Sequence, residues 1–385
     1  MSEKEKDRVE VVEDCFDVHV VLVSAQAAPN FLPAVEPGFQ PKRVVMLVSG
    51  DMKENAGHLA KALRTEVPAM KVERVDVPDP YDLEGMVNQF LVLFDGLVQG
   101  GERIALNVTG GTKPMAIAAL QAAELAEIRS FYLRLDTNRL FFLGKNRSSR
   151  AIQTRRRLRT YLMAYGYELR TRNSRSFLNE SSSVISHLLT KESYREAVPK
   201  LNWLAQQAEK KLKVRNEMND AALDALLGEF EQVGLLSVHG RDIVFPSEDA
   251  RFFVNGGWLE ELTTREVRKA FPEAEVLCNA EILTQNGKKP LKNEIDVMFW
   301  ENDRLCLVEC KTPDPKDKSF STNLLKFSKV CSHLGLKKCD ILVSYHGLRD
   351  IHRERAEKEE ICVISGNDLK RLGERLKHFV WHGNK

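Results

Sequence analysis

The sequence predicts an α/β protein in which two α/β domains flank a mainly helical segment. Residues 1–148 alternate strand-length apolar runs with helix-length segments, a pattern typical of βαβ units and a parallel sheet. Residues 256–385 again mix strands with helices, whereas residues 149–255 are largely helical. A chain of 385 residues is long enough for two or three domains that each bury a core. We therefore expect three parts with boundaries near residues 148 and 255.

The composition excludes several classes of protein. Lys and Arg total 57 against 55 Asp and Glu, so the net charge of +2 does not predict a basic surface over the whole molecule. The apolar runs are of strand length, far below the roughly 18 residues that a membrane span needs, and the charged first 14 residues do not resemble a secretory signal. The seven cysteines form no CxxC pair, which argues against a zinc site or a disulfide framework. We expect a cytoplasmic protein with no membrane partner.

The first domain is predicted to contain a Rossmann-like sheet. Its strands are rich in Val, Ile and Leu at consecutive positions, as burial on both faces requires. The predicted strands are 17–24, 43–49, 71–77 and 104–108, with a hairpin at 130–135 and 139–143. The predicted helices are 55–66, 81–99 and 113–126.

The middle segment begins with a basic stretch, residues 149–159, and continues with amphipathic helices. These helices are predicted at 182–189, 197–213 and 220–233, and a hairpin at 235–238 and 241–245 follows. A helix followed by a hairpin is the local pattern of a winged-helix module. We favour a structural linker over direct contact with nucleic acid, because the helix nearest the hairpin is acidic.

The last domain has the predicted order αβββαβ(α)βα. The elements are a helix at 258–270, strands at 274–283, 293–300 and 304–311, a helix at 322–334, a strand at 339–345, a further helix, a strand at 361–365 and a final helix at 366–377.

The strongest chemical signal is the segment NEIDVMFWENDRLCLVECKT, residues 293–312. Alternate side chains of a strand share a face, so Glu309 and Lys311 point the same way, and Asp296 on the preceding strand can approach them. An acidic pair among apolar residues is unfavourable unless a cation neutralises it. Carboxylate oxygens suit Mg²⁺ or Mn²⁺, and Lys311 can then orient or deprotonate a water, or hold a phosphate oxygen.

This hairpin resembles the PD-(D/E)xK nuclease superfamily, with Asp296 as the acidic residue and Glu309-Cys310-Lys311 as the ExK motif. Ile295 stands where the motif has proline, a change that leaves the acidic residue in place. The resemblance implies that Asp296, Glu309 and the backbone carbonyl of Cys310 bind a divalent metal and that Lys311 is catalytic.

In the same superfamily a glutamate from the first helix often completes the site. Glu260 and Glu261, in GGWLEEL, are the candidates, and they point about 100° apart on a helix, so only one can face the metal. We expect Glu260 to be the catalytic residue.

A second motif, LNVTGGTKPM at residues 106–115, follows a strand and opens a helix. Gly110 and Gly111 allow close approach of the backbone to an anion, and Lys113 adds a charge at a helix N-terminus. The motif is neither a Walker loop nor GxGxxG. It predicts a phosphate-binding loop that includes Asn107, Thr109, Gly110, Gly111, Thr112 and Lys113.

Polar residues also follow the first two strands, at the carboxyl ends where α/β sheets bind ligands. Ser24, Gln26 and Asn30 follow the first strand, and Ser49 and Asp51 follow the second. Amide side chains such as those of Gln26 and Asn30 can contact adenine edges or ribose hydroxyls, although as turn formers they are equally suited to a structural role.

Residues 17–145, and above all NVTGGTKPM, resemble the CARF domain, a CRISPR-associated Rossmann fold that senses cyclic oligoadenylates. A CARF-like domain before a PD-(D/E)xK-like domain resembles the type III CRISPR ancillary nucleases known as Card and Can nucleases, and the phrase FVNGGWLEE strengthens the likeness. The resemblance implies a cyclic tetra-adenylate activator and metal-dependent cleavage of DNA or RNA with little sequence specificity.

The internal symmetry of a cyclic tetranucleotide favours a homodimer that places two copies of the loop around one ring. Two other functions stay open from the sequence: a nucleotide-sensing transcription regulator, and a restriction-type nuclease without a nucleotide signal. Cleavage of the ring by the first domain is a further possibility that lacks an obvious general base.

Overall fold

The structure is a computed structural model that describes residues 15–144, 147–152, 157–171, 175–284, 292–301, 304–314, 325–328 and 338–383. The chain divides into two compact units, one comprising Met1–Glu168 with Thr284–Pro290 and the other Leu169–Leu283 with Leu291–Lys385. Both units combine sheets with helices, so the predicted α/β class is confirmed. Within the described part of the chain, none of the helices has the length and apolar character that crossing a bilayer requires.

The first unit contains a sheet with the strand order β3-β2-β1-β4-β5-β6-β7. Strands β1 to β5 pair in parallel, and β6 and β7 continue the sheet antiparallel. Their bounds are Val18–Leu22 (β1), Arg43–Ser49 (β2), Lys71–Val77 (β3), Ile104–Asn107 (β4), Arg129–Arg134 (β5), Arg139–Phe142 (β6) and Ser149–Ala151 (β7). The short central strands β1 and β4 are buried along their whole length, which explains why most of their residues are apolar.

The helices of the first unit are Ala28–Val35 (α1), Lys53–Glu66 (α2), Leu83–Gln99 (α3), Lys113–Leu125 (α4) and Leu158–Ala164 (α5). Phe90 and Phe94 of α3 pack with Val20 and Leu22 of β1 in one apolar cluster. The α4 residues in this cluster include four alanines, whose small side chains allow close contact between the helix and the sheet: Ala118, Ala119, Ala122 and Ala123.

The second unit contains a sheet with the strand order β16-β15-β14-β13-β12-β8. The bounds are Tyr167–Thr171 (β8), Val276–Thr284 (β12), Lys292–Glu301 (β13), Arg304–Lys311 (β14), Lys338–Ser344 (β15) and Cys362–Ser365 (β16). Strands β12, β13 and β14 are antiparallel neighbours, whereas β14, β15 and β16 run parallel.

Helices and a small sheet complete the second unit. The helices are Ser182–Thr190 (α6), Ser193–Gln207 (α7), Ala221–Gln232 (α8), Glu248–Phe252 (α9), Trp258–Ala270 (α10), Asp350–Lys358 (α11) and Leu372–His382 (α12). The small sheet, with the order β10-β11-β9, is formed by Lys213–Arg215 (β9), Ser237–His239 (β10) and Asp242–Val244 (β11).

Three segments differ from the predicted elements or lie partly outside the described residues. The stretch after the first strand, where the sequence analysis predicts no helix, contains α1, because Pro29 suits the first turn of a helix and every residue of Ala28–Val35 is buried. Strand β8 extends the second sheet from a segment predicted to be a linker. The helix predicted at 322–334 lies almost wholly outside the described residues.

The middle segment, 149–255, is not separated from its neighbours in the two-unit division, since the boundary falls between Glu168 and Leu169. Its helices α6, α7 and α8 share an apolar cluster with α10 and the strands β13 to β15. The three-part division remains a prediction.

A sharp turn at Gly256 positions the start of α10. Gly256 has a φ of 104°, and a Cβ there would lie 2.4 Å from the Thr312 hydroxyl oxygen. That hydroxyl accepts a hydrogen bond from the Asn202 amide at 2.8 Å. The turn therefore requires glycine both for its backbone conformation and for space.

We expect Gly256→Ala to destabilise the protein by about 1–3 kcal/mol, through backbone strain and the clash with Thr312. The midpoint of thermal unfolding should fall by about 2–10 °C. The matched control is Gly228→Ala in α8, where nothing lies within 4 Å of the added Cβ. That change should raise the midpoint by about 1–4 °C, because alanine is the better helix former. Equal midpoints for the two variants would contradict the prediction.

Candidate functional site

The hairpin of β13 and β14 holds three of the four predicted catalytic residues, Asp296, Glu309 and Lys311. The two strands pair antiparallel through Val297↔Val308, and one further step of this register places Asp296 opposite Glu309. The Cys310 amide donates a hydrogen bond to Asp296 Oδ2 at 2.6 Å. The structure therefore brings the aspartate and the ExK strand together, as the sequence predicts.

Lys311 forms an ion pair with Glu309 on the same face of β14. Their side chains are 24% and 16% exposed, so water screens the pair only weakly. Burial lowers the pKa of Lys311, but the neighbouring carboxylates of Glu309 and Asp296 outweigh it and raise the pKa above its ordinary value. Lys311 is therefore a fixed cation at neutral pH.

Asp296 lies in an environment that disfavours its charged form. Burial, and then the charge of Glu309, raise its pKa to about 8, although Lys311 and the Cys310 amide act in the opposite direction. Two carboxylates this close cannot both ionise without a compensating cation.

Glu260, in the first turn of α10, points to the same cluster. Its Oε2 is buried and has no hydrogen-bond partner among the described residues. Burial, followed by the charge of Asp296, raises the pKa of Glu260 well above its ordinary value. Glu261 points elsewhere, because it accepts hydrogen bonds from the Ser176 hydroxyl at 2.7 Å and the Phe177 amide at 3.2 Å. Glu260 rather than Glu261 therefore faces the carboxylates, and its catalytic role remains a prediction.

The sequence analysis missed Glu294. Its charge contributes to the raised pKa values of both Glu260 and Asp296. The signal was present, since Glu294 and Asp296 are two residues apart on β13 and therefore share a face.

The donor set fits a divalent cation. When ionised together, Glu260, Asp296 and Glu309 would carry more negative charge than Lys311 can compensate, and one buried carboxylate oxygen of Glu260 has no partner among the described residues. Oxygen donors of this kind suit Mg²⁺ or Mn²⁺. Across the described residues, no group of three or more His, Cys, Asp or Glu side chains is already arranged to hold a metal ion. The carboxylates would therefore have to adjust on binding.

The second candidate site lies at the carboxyl ends of β1 and β4. From β1 the chain proceeds to β2 and β3 on one side of the sheet, and β4 pairs with the other side of β1. Such a reversal of strand order opens a crevice between the two loops that follow the central strands, where α/β proteins bind ligands.

The loop after β4 has the features of an anion site. A Cβ on Gly110 would lie 2.2 Å from the Leu22 carbonyl oxygen, and Gly111 has a φ of 74°, so both positions require glycine. Thr112 caps α4 by accepting a hydrogen bond from the Met115 amide at 3.3 Å. Lys113, the first residue of α4, is exposed at this N-terminus. The loop therefore offers backbone donors and a free ammonium group to an anion.

Asn30 and Asn107, which the sequence predicts as ligand contacts, are buried and hydrogen-bonded within the protein. They are 1% and 0% exposed. The Asn107 amide donates to the Pro29 carbonyl at 2.8 Å and to Asn30 Oδ1 at 3.0 Å, and Asn30 donates to the Leu22 carbonyl at 2.7 Å. Both side chains are committed to bonds that join the two loops, so they position the site.

Thr109 also contributes to the scaffold of the loop. Its hydroxyl donates to Asn107 Oδ1 at 2.6 Å and accepts a hydrogen bond from the Leu133 amide at 2.8 Å. The residue is only half-buried, so its backbone remains near the surface.

The remaining predicted residues differ in accessibility. Ser24 is half-buried and donates to the backbone carbonyl of Gln26, whose side chain accepts a hydrogen bond from the Tyr165 hydroxyl at 3.2 Å. Ser49 is 2% exposed and donates to the exposed carboxylate of Asp51 at 2.5 Å. Tyr165 was not predicted, because it lies far along the chain in a segment interpreted as a linker.

Two family models match the chain over regions that contain these sites. The model described as the Card1 CARF domain matches residues 18–161, and the model described as the Card1-like endonuclease domain matches residues 247–382. Together they cover more than two thirds of the chain. The chain belongs to the Card1-like family. The prediction of a CARF domain followed by a nuclease domain is confirmed.

Solved structures share the fold of the Card1-like chain. Protein VC1899 from Vibrio cholerae superposes with a TM-score of 0.83 at 21% identity, covering 96% of this chain and 98% of that one. Can2 from Sulfobacillus thermosulfidooxidans, solved with cyclic tetra-adenylate, has a TM-score of 0.75 at 23% identity, covering 95% and 97%. No curated protein sequence matches the chain significantly.

A third structure, of a type III CRISPR defence DNA nuclease activated by cyclic oligoadenylate, has a TM-score of 0.55 at 16% identity. The match covers 86% of this chain and 45% of that one. At these identities the similarity is one of fold.

We expect Asp296→Asn to stabilise the metal-free protein. The unfolded aspartate has a pKa near 3.8, whereas in the fold it is about 8. Between these values the unfolded chain loses its proton while the fold retains it, so wild-type stability falls as the pH rises. In chelator, the gain in unfolding midpoint should grow from pH 5 to pH 8 and exceed about 2 °C at pH 8.

The control for this measurement is Glu357→Gln, which removes an exposed carboxylate on α11. Its unfolding midpoint should follow the wild type at each pH. A gain for Asp296→Asn that is the same at pH 5 and pH 8 would contradict the assigned cause.

Proposed function

We propose that this protein is a nuclease of type III CRISPR defence, activated by cyclic tetra-adenylate and dependent on a divalent metal ion. It would hydrolyse phosphodiester bonds in DNA, RNA or both with little sequence specificity. The observation that carries the proposal is the convergence of Asp296, Glu309, Lys311 and Glu260 in one cluster within the region of the endonuclease match. This is the constellation expected of a PD-(D/E)xK site.

Asp296 and Glu309 would hold Mg²⁺ or Mn²⁺ together with the backbone carbonyl of Cys310, and Glu260 would complete the site. When bound, such an ion polarises the phosphate and lowers the pKa of a water. The unpartnered oxygen of Glu260 and the raised pKa of Asp296 support this assignment. Both features describe carboxylates without a sufficient counter-charge.

Lys311 would act as a cation rather than as a base. Its raised pKa means that it keeps its proton at neutral pH. A fixed ammonium group beside Glu309 can stabilise the negative charge that develops on the attacked phosphate, or orient a water towards it. Deprotonation of a water by Lys311 is less consistent with this environment.

The activator would bind at the carboxyl ends of β1 and β4. The N-terminus of α4, the Gly111 turn and Lys113 offer donors to phosphates, and Ser24 and Gln26 lie on the facing loop. The CARF family match and the complex of Can2 with cyclic tetra-adenylate support this ligand class. A homodimer would place two equivalent loops around one ring.

The alternatives fit the chain less well. A transcription regulator would not use the carboxylate cluster, and the endonuclease match argues against it. A restriction-type nuclease without a nucleotide signal would not need the CARF domain. Cleavage of the ring would require a general base, and Lys113 is the ionisable side chain within the loop of residues 107–113.

The proposal is tested by assaying cleavage of single-stranded DNA, single-stranded RNA and plasmid with Mn²⁺, with and without cyclic tri-, tetra- and hexa-adenylate. We expect cleavage only with the tetra-adenylate, loss of cleavage in EDTA, and recovery with Mn²⁺ or Mg²⁺. Lys311→Ala should reduce the rate by at least about a hundredfold while activator binding is unchanged. Full activity in chelator, or a near wild-type rate for Lys311→Ala, would exclude the mechanism.

We expect Lys113→Ala to weaken activator binding about tenfold to a hundredfold, because one charge-assisted contact contributes roughly 1.5–3 kcal/mol. The maximal cleavage rate at saturating activator should stay near that of the wild type. Lys71→Ala serves as the control. Lys71 is an exposed residue at the amino end of β3, whereas the loop lies at the carboxyl ends of the parallel strands. An unchanged half-maximal activator concentration for Lys113→Ala would remove this residue from the site.

A further inference from the structure

A cavity of about 730 Å³ lies along α10, in the second unit. One wall contains Glu260, which belongs to the carboxylate cluster, and the same helix continues with Thr264, Arg265, Arg268 and Lys269. The opposite wall includes Asn279 of β12. The proposed cleavage chemistry uses only Glu260 of these residues, so the remaining lining is unexplained.

The lining residues of α10 form one continuous face. Glu260, Thr264 and Arg268 are spaced four residues apart, so they lie one above another on the helix. The distance from Glu260 to Arg268 along the axis is about 12 Å, which corresponds to the rise of roughly three to four nucleotides in one strand of B-form DNA. The cavity therefore leads from the carboxylate cluster to a positively charged end.

The basic end offers contacts to an anionic polymer. Arg265 and Lys269 both contact Glu266, at 3.3 and 3.1 Å. Arg268 is exposed and has no ionic or hydrogen-bond partner among the described residues. A polynucleotide approaching the carboxylates is repelled by them, and neighbouring cations offset that repulsion.

Asn279 is an independent sign of a ligand. The residue is only 5% exposed, and its Oδ1 has no partner within the described part of the chain. It also has a φ of 48°, an uncommon conformation for a residue other than glycine. The register of β12 with β13 pairs Cys278 with Val297 and Ala280 with Ile295, which places Asn279 opposite Asp296. An unsatisfied buried amide beside the catalytic aspartate is unfavourable unless a ligand completes it.

We propose that this cavity binds the nucleotides that flank the scissile phosphodiester of a single-stranded polynucleotide. Arg268, with Arg265 and Lys269, contacts its phosphates, and Asn279 forms a hydrogen bond with the edge of a base. The volume lies in the range of about 300–1,000 Å³ that small ligands occupy, so it admits unpaired nucleotides rather than a double helix. The inference rests on the proposed nuclease function and adds the substrate site to it.

The test measures binding separately from cleavage. Fluorescence anisotropy of labelled 20-nucleotide single-stranded DNA, single-stranded RNA and duplex DNA is recorded with the full-length chain, in EDTA and saturating cyclic tetra-adenylate. Three variants are compared with the wild type: Arg268→Glu, Asn279→Gly and, as a charge-matched control, Lys370→Glu, an exposed lysine that does not line the cavity.

We expect Arg268→Glu to weaken binding of at least one single strand tenfold or more, and to reduce the slope of log affinity against log salt concentration by about one. Asn279→Gly should weaken binding about threefold to tenfold. Glycine adopts a positive φ readily, so this variant keeps the backbone conformation at position 279 and removes only the side-chain amide. Lys370→Glu should bind within twofold of the wild type.

Several results would overturn the proposal. The first is wild-type affinity in both Arg268→Glu and Asn279→Gly, and the second is a loss of affinity in Lys370→Glu as large as that in Arg268→Glu. The third is binding of duplex DNA with the same affinity as the single strands and the same loss in the variants. The fourth is that the wild type binds neither single strand. Thermal unfolding of each variant without nucleic acid establishes that it is folded. Cleavage by the wild type with Mn²⁺ and activator is scored separately, so the nuclease function can stand when the cavity proposal fails.

Discussion

The main physical constraint on this protein is a cluster of carboxylates that cannot all ionise beside a single lysine. Glu260, Glu294, Asp296 and Glu309 influence one another's environment, and Lys311 is the cation among them. A folded protein tolerates such a cluster only if packing elsewhere supports it. The apolar neighbours in the hairpin, Val297 and Val308, are fully buried and supply part of that support. A bound cation, as we propose for this site, would offset the repulsion between these carboxylates.

The scaffold around the cluster determines which carboxylates take part. Gly256 allows α10 to begin with Glu260 directed at the hairpin, while Glu261 is held away by the Ser176 hydroxyl. Strand pairing places Asp296 within reach of the Cys310 amide. A one-residue shift in the pairing of β13 with β14 would place an apolar side chain where a charged one now lies. The chemistry is therefore set by backbone geometry as much as by residue type.

The two candidate sites suit ligands of opposite charge. The loop before α4 presents backbone donors and Lys113 to an anion, and buried asparagines hold it in shape. The hairpin instead combines several carboxylates with Lys311, and further basic residues lie along the adjoining face of α10. The net charge of +2 reveals neither arrangement, because each involves only a few residues. A loop suited to an anion and a cluster of carboxylates can therefore coexist in one chain without a large net charge.

The sequence alone determined the α/β class, the hairpin with Asp296, Glu309 and Lys311, and the glycine loop before α4. These features depend on contacts between residues that are close in the chain, where strand alternation and turn chemistry are readable. The tertiary structure decided the rest. It showed that Asn30 and Asn107 join two loops, that β8 extends the second sheet, and that Asn279 lies opposite Asp296. These roles follow from burial and from contacts between residues far apart in the chain, which local periodicity does not show. An asparagine that contacts a ligand and one that forms a hydrogen bond with the protein backbone look the same in the sequence.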